Sequence, residues 1–242
     1  MRLPLARCGL LLLASPFLLA AAPVGSDAVN SLSLQGSDVM RTVLTLTLLA
    51  IVPALLITTT SFLRIVVVLS MIRHAFGMPQ TPPNSVITSL ALFLTAFVMG
   101  PTLGDLNKET VQPFLAGRMD ISAVIDHGAT PLKRFMLTHT PDSNIERVYG
   151  MARSQLPARV EDVDLFKLIP AFMLNELRVA FTIGFVVLLP FLLIDLVVAS
   201  ILLSLGMMMV PPNTISLPIK ILMFVLIDGW GLIIEGLVGS FG

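Results

Sequence analysis

Apolar stretches without any charge alternate with polar ones along this chain. The first covers residues 42–63, which is enough for a helix of about 20 residues that crosses a bilayer. The apolar pattern continues past Arg64 to Met71, so the predicted helix is long or bent. Pro53 lies inside the stretch, where a proline kinks a membrane helix rather than ending it.

A second charge-free stretch covers residues 75–104, with a helix predicted over residues 85–99. The segment between the two helices contains Gly77, Pro82 and Pro83, and these residue types favour turns. Residues 42–104 therefore predict a first apolar helical hairpin.

Residues 105–165 differ, because sixteen of the 30 acidic and basic side chains lie there. Such a segment must face water. Its apolar residues recur at helical spacing, as in Leu132, Phe135 and Met136, which predicts short amphipathic helices.

The apolar character returns in residues 166–242. Residues 179–194 and 196–219 are charge-free on either side of Asp195. Gly206, Pro211 and Pro212 must break the helix inside the second of these stretches, so a second hairpin is predicted. The fold class that follows is an all-α membrane protein with two long helical hairpins, about four apolar helices, and a polar helical periplasmic segment between them.

The first residues have the layout of a secretory signal peptide, with Arg2 and Arg7, an apolar run and then three alanines. We assign residues 1–25 to this leader and residues 26–41 to a polar lead-in, with two rival cleavage points. A retained first membrane helix is the alternative. The only cysteine is Cys8, which excludes an intrachain disulfide and a thiolate metal cluster.

Composition supports the membrane class. The chain is 55% hydrophobic and 12% charged, with a mean hydropathy of +0.92, whereas soluble domains carry about 25% charged residues. Fifteen basic and fifteen acidic residues cancel, so no global field attracts nucleic acid. With the leader removed, Arg73 and His74 lie on the cytoplasmic side, as basic residues of membrane proteins usually do.

Charges inside the apolar stretches do not suit contact with lipid. Asp195, Lys220, Asp228 and Glu235 each cost about 2.5–3.5 kcal/mol near a bilayer centre. Such residues usually face the interior of a bundle and find partners there. We therefore expect these helices to pack against other subunits in an oligomer.

Partners for two of the cations stay open at this point. Lys220 has Glu176, Asp195 and Asp228 as candidates, within one chain or between subunits. Arg64 either extends to the membrane interface or forms an ion pair between subunits. An inert pair that fixes packing is favoured over a proton relay.

Met207, Met208 and Met209 follow one another in the second turn. They are either apolar filler, since methionine fits irregular gaps, or a soft gasket around a moving polypeptide. Rings of apolar side chains gate some channels by excluding water.

Signatures of enzymes are missing from the sequence. The three histidines lack a nucleophile elbow or a zinc-binding HExxH pair, and no phosphate-binding or dinucleotide-binding loop occurs. We expect no enzymatic activity, no cofactor and no metal site.

Two long segments resemble the FliP family of type III secretion export gates. They are SFLRIVVVLSMIRHAFGMPQTPPN with LALFLTAFVMGP, residues 61–101, and the segment from ELRVAF to LIDGW, residues 176–230. The resemblance implies five copies of the chain assembled with FliQ and FliR in a closed cone at the flagellar basal body. It further implies that the methionine turn lines the channel and that energy comes from other components, FlhA and FlhB among them.

The implied function is export of unfolded flagellar proteins through the inner membrane, with substantial periplasmic exposure of the subunit. Alternatives are a homologous injectisome subunit, a structural template of the basal body, and a proton-coupled secondary transporter. The methionine turn and the lack of repeated broken helices in the two halves disfavour the transporter.

Overall fold

The computed structural model describes residues 40, 42, 43, 46, 47, 50, 51, 53–78 and 80–242. The predicted leader, Cys8 and nearly all of the lead-in lie outside the described residues. The chain divides into two compact units, Met1–Leu49 and Ala50–Gly242. In the first unit the described residues are helical and exposed, as at Met40 and Leu46.

In the second unit the described elements are all helical. The first apolar part consists of Pro53–Thr59 (α1), Phe62–Ala75 (α2), Asn84–Val98 (α3) and Gly100–Leu106 (α4). A π-helical turn, Asn107–Val111, leads into Gln112–Leu115 (α5), Ile121–Thr138 (α6), Asp142–Met151 (α7) and a 3-10 turn, Val160–Asp162. The second apolar part consists of Leu165–Ser204 (α8), Pro212–Leu226 (α9) and Gly229–Gly239 (α10).

The first two helices of the first apolar part form a bent arm, since α1 and α2 meet at 82°. A run of threonines lies at this bend. The hydroxyl groups of Thr58 and Thr59 donate to backbone carbonyls four residues earlier, at 2.9 and 2.7 Å, and Thr60 does the same. Such hydrogen bonds back to the preceding turn bend helices. The sequence predicted a kink at Pro53. The bend described for this arm lies further along the chain, between Thr59 and Phe62.

Two further arms are bent as well. The helices Asn84–Val98 and Gly100–Leu115 meet at 63°, where Pro101 cannot donate a hydrogen bond to the preceding turn. Helices α9 and α10 meet at 64°, and Asp228 between them has left-handed backbone angles of φ 50° and ψ 54°.

Helix α8 is the one described helix that is by itself long and apolar enough to cross a membrane. If each bent pair makes one crossing, the number rises to four, which equals the number of apolar helices that the sequence predicts. At about 1.5 Å per residue, the 40 residues of α8 extend about 60 Å, roughly twice the hydrocarbon thickness of a bilayer. Bent arms occur in both halves of the chain, so the expected lack of broken helices is wrong and no longer disfavours a transporter.

Helix α2 lies at the centre of the larger core. Its buried face packs against α3 and α8 through Ile65, Val68 and Leu69. Gly184 of α8 lies directly against Met71, and a Cβ there would overlap the methionine side chain. Any larger residue at this position would therefore force the Met71 side chain to move.

A second core joins the polar segment to the first half of α8. Phe135 and Met136 of α6 pack there with Phe172, which is fully buried. Asn175 of α8 donates to the carbonyl of His139 at 2.7 Å and accepts from Asn144 at 3.2 Å. The predicted short amphipathic helices are thus α6 and α7, and buried amides fix them to α8.

Candidate functional site

The guanidinium of Arg64 forms a two-point ion pair with Glu176. The Nε–Oε2 distance is 2.8 Å and the Nη2–Oε1 distance is 2.5 Å, and both side chains are at least 97% buried. The planar fork of arginine matches a carboxylate in this geometry, which makes it one of the stronger hydrogen-bonded pairs in proteins.

The same guanidinium also holds the end of the chain. Its Nη1 donates to the carbonyl and the Oγ of Ser240, at 2.8 and 2.9 Å. The guanidinium carbon lies 3.8 Å from the ring centre of Phe241, a cation–π contact. Arg64 therefore joins α2, α8 and the end of α10, and it does not extend outward to an interface.

Lys220 lies against Asp195. Its Nζ is 2.6 Å from Oδ2 and donates to the carbonyl of Ala75 at 3.3 Å. Ser216 donates to the other carboxylate oxygen at 2.6 Å. The side chain of Lys220 is 5% exposed and that of Asp195 is 31% exposed, so this pair is open on the carboxylate side.

The partners that the sequence left open are thus assigned within one chain. Glu176 pairs with Arg64 and Asp195 pairs with Lys220. Asp228 lies at the bend between α9 and α10, away from both pairs. Sequence reasoning missed Ser240 and Phe241, which no pattern marks, and Ser216, which the four-residue spacing to Lys220 would have indicated.

A tight turn ends α8 before the methionines. Gly206 has φ +73°, Met207 N donates to the carbonyl of Leu202 at 2.9 Å, and Gly206 N donates to that of Leu203 at 3.1 Å. This pair of hydrogen bonds is the Schellman motif, which needs a left-handed residue and hence favours glycine. Pro211 then precedes α9 and Pro212 is its first residue.

The methionine loop, Met207 to Met209, projects outward from this turn. Met207 is 45% exposed, Met208 80% and Met209 98%. None of the three therefore fills a gap in the core of the chain. Large exposed apolar groups of this kind mark surfaces that contact other molecules.

The first turn is more closely packed. Gly77 has φ +75° and lies two residues after the end of α2, while Pro83 precedes α3. Arg73 donates to the side chain of Asn84 and to the carbonyl of Pro82. These polar contacts close the turn between α2 and α3.

Two cavities flank α10. An apolar groove of about 450 Å³ lies between α8, α9 and α10, with Phe191 and Phe224 in its wall. A wider cleft of about 660 Å³ lies against another side of α10, and Asp228, Glu235 and Phe97 line it. Among the described residues, no three histidine, cysteine, aspartate or glutamate side chains gather as a metal site would require.

Comparison with known proteins gives one consistent family. Residues 45–237 match the model of the FliP family. The chain is 43% identical to flagellar biosynthetic protein FliP of Bacillus subtilis, over 85% of this chain and 93% of that protein. It is 46% identical to the protein of the same name from Pectobacterium carotovorum, over 84% and 78% of the two chains. It is 43% identical to the protein of that name from Agrobacterium fabrum, over 95% of this chain and 96% of that protein.

Proposed function

The chain belongs to the FliP family and is a component of the flagellar type III export apparatus, and from this premise we propose that it forms the wall of the export channel. Several copies, five by the family resemblance, surround the path of unfolded flagellar proteins. The two hairpins at residues 42–104 and 166–242 supply the wall, and residues 105–165 face the periplasm.

The exposed methionine loop carries this proposal. Three flexible thioether side chains point away from their own subunit at 45–98% exposure, so they need an apolar or moving neighbour. When several copies bring such loops together, the side chains form a soft constriction that excludes water around a polypeptide. The constriction closes the channel to ions when no substrate passes.

The two buried ion pairs support a fixed wall behind the loop. Lys220–Asp195 joins α8 and α9 below the methionines, and Arg64–Glu176 joins α8 to α2 further along. Both pairs favour one register of α8 against its neighbours, because a shift along either helix would leave a charge without its counter-charge. The chain is then a passive conduit without enzymatic activity, and other components supply energy.

The partners that we propose follow from the family. They are further copies of the chain, FliQ and FliR in the gate itself, FlhA and FlhB beside it, and unfolded flagellar substrates within it. The length of α8, about twice the bilayer thickness, supports an inner-membrane location with much of the protein in the periplasm. The relatives reported above are all named flagellar, which disfavours an injectisome subunit.

Replacing Met207, Met208 and Met209 by alanine tests the gasket. We expect each subunit to keep its fold and the gate still to assemble, because the three side chains are exposed on their own subunit and substitutions of such groups usually change the free energy of unfolding by less than about 0.5 kcal/mol. Liposomes that contain the variant gate are expected to leak small ions, whereas the parent gate stays closed. Met151→Ala, at another exposed methionine, is the matched control and is expected not to leak.

An assembled triple variant that holds ions as tightly as the parent would show that the constriction lies elsewhere. Native mass spectrometry in mild detergent, with and without co-expressed FliQ and FliR, measures assembly directly. A monomer indifferent to both partners would contradict the channel-wall proposal as a whole.

A further inference from the structure

Three charged side chains of the second apolar part have no ion pair or hydrogen bond in the described structure. They are Arg178, Asp228 and Glu235, and all three are exposed. By contrast, Arg64, Glu176, Asp195 and Lys220 all pair within the chain. Unpaired charges within apolar helices normally find partners outside their own chain.

Arg178 belongs to an exposed apolar stripe of α8. It is two residues from both Glu176 and Ala180, which are fully buried, and two residues turn a helix by about 200°. Phe181 and Phe185, each 57% exposed, lie on the same outward side. The outer surface of α8 therefore combines one cation with large apolar groups.

Glu235 belongs to the cleft of about 660 Å³ beside α10. The wall of this cleft is apolar around the carboxylate, with Leu232, Val238 and Phe97, which is 71% exposed. The cleft thus combines two anions, Glu235 and Asp228, with apolar groups, and it is complementary in charge to the outer surface of α8.

The two charges lie at nearly the same height in the molecule. Arg64 contacts both Glu176 and Ser240, so these two residues mark one level. Helices α8 and α10 run in opposite directions from it, because Phe224 contacts both Phe191, towards the end of α8, and Gly229, at the start of α10.

Heights above that level follow from the helical rise of about 1.5 Å per residue. Arg178 lies about 3 Å above it, Glu235 about 7–8 Å and Asp228 about 18 Å. An arginine side chain at the height of Arg178 can therefore reach Glu235 but not Asp228.

We propose that Arg178 of one copy enters the cleft beside α10 of the next copy and pairs with its Glu235, while the exposed stripe of α8 covers the apolar wall. This inference rests on the proposed assembly of several copies and identifies one contact that holds them together. Since the two surfaces are different, each copy uses one for each neighbour, so the contact is heterologous and arranges the copies head to tail and not as a two-fold dimer.

Disulfide cross-linking between two differently tagged copies tests the contact in membranes. Cys8→Ser removes the only cysteine; one copy then carries Arg178→Cys and the other Glu235→Cys. With an added oxidant, we expect a cross-linked pair that contains both tags. Either variant expressed alone is expected to give no product, because a heterologous interface never brings identical positions together.

The matched control combines Asp228→Cys with Arg178→Cys, because Asp228 lies about two helical turns above Glu235. A cross-link no stronger than this control, from copies that still form the oligomer, would overturn the contact and leave the channel-wall proposal intact. Absence of any oligomer in the Cys8→Ser parent would overturn both.

Charge exchange gives a second, independent measurement. We expect Arg178→Glu or Glu235→Arg alone to lower the yield of oligomer about tenfold or more, as loss of one partner of a desolvated charge pair does, and the double exchange to restore it. Restoration by Asp228→Arg in place of Glu235→Arg would overturn the proposal. The proposal would also be overturned if the Arg178→Glu variant lost bound anionic lipid but assembled like the parent.

Discussion

The Arg64–Glu176 and Lys220–Asp195 pairs both join α8 to a neighbouring helix, yet they differ in burial and geometry. The first is at least 97% buried on both sides and uses two parallel hydrogen bonds between planar groups. The second has a carboxylate that is 31% exposed and an ammonium group that acts as a point charge.

This difference indicates separate structural roles. Arg64 also uses Nη1 on Ser240 and its face on Phe241, and both side chains of the first pair are at least 97% buried, so the pair is closed to other molecules. Asp195 remains open to solvent on one side, which leaves it accessible to a neighbouring subunit. The first pair therefore fixes the fold, whereas the second lies at its edge, closer to the methionine loop.

Replacing Glu176 by glutamine is expected to have the largest effect on stability. The change leaves Arg64 buried with an uncompensated charge, which costs about 3–5 kcal/mol. Thermal unfolding in detergent, followed by the fluorescence of the single tryptophan, Trp230, measures the loss. The exposed Glu146→Gln on α7 serves as the control and should unfold like the parent.

Asp195→Asn is expected to have a smaller effect. Lys220 keeps the carbonyl of Ala75 and one amide oxygen, and the carboxylate is already 31% exposed, so we expect a loss of about 1–3 kcal/mol. The same unfolding measurement ranks the two variants. A loss equal to that of Glu176→Gln would show that the two pairs are equivalent and that partial exposure does not weaken the second.

Ser240→Ala sharpens the comparison with the smallest change. It removes one acceptor of Arg64 at 2.9 Å and leaves the backbone carbonyl at 2.8 Å, so we expect a loss of about 0.5–1.5 kcal/mol. Ser216→Ala removes the corresponding hydroxyl beside Asp195 and provides the counterpart. A larger loss of stability for Ser216→Ala than for Ser240→Ala would show that the Lys220–Asp195 site contributes more to stability than the Arg64–Glu176 site, the reverse of the expected order.

Sequence patterns predicted the helices, the turns and the need for charge partners. The apolar stretches, Gly77 and Gly206 depend on local chemistry, namely hydropathy and the preference of glycine for left-handed backbone. Asp195 and Lys220 were recognisable because charges in apolar helices are costly wherever they lie. The bends at Thr60 and Asp228 were not predicted, because the hydrogen bonds of the threonines and the left-handed backbone of Asp228 appear only in the structure.

Pairing was beyond the sequence for a physical reason. Arg64 and Glu176 are 112 residues apart, and Arg64 and Ser240 are 176 apart, so only the packing of α2 against α8 and of the end of α10 against Arg64 brings them together. The sequence by itself determined the membrane character, the family and the residues that require partners, because these depend on local composition and motif. Only the tertiary structure decided which partner each charge takes, because a distance between helices depends on every contact along them.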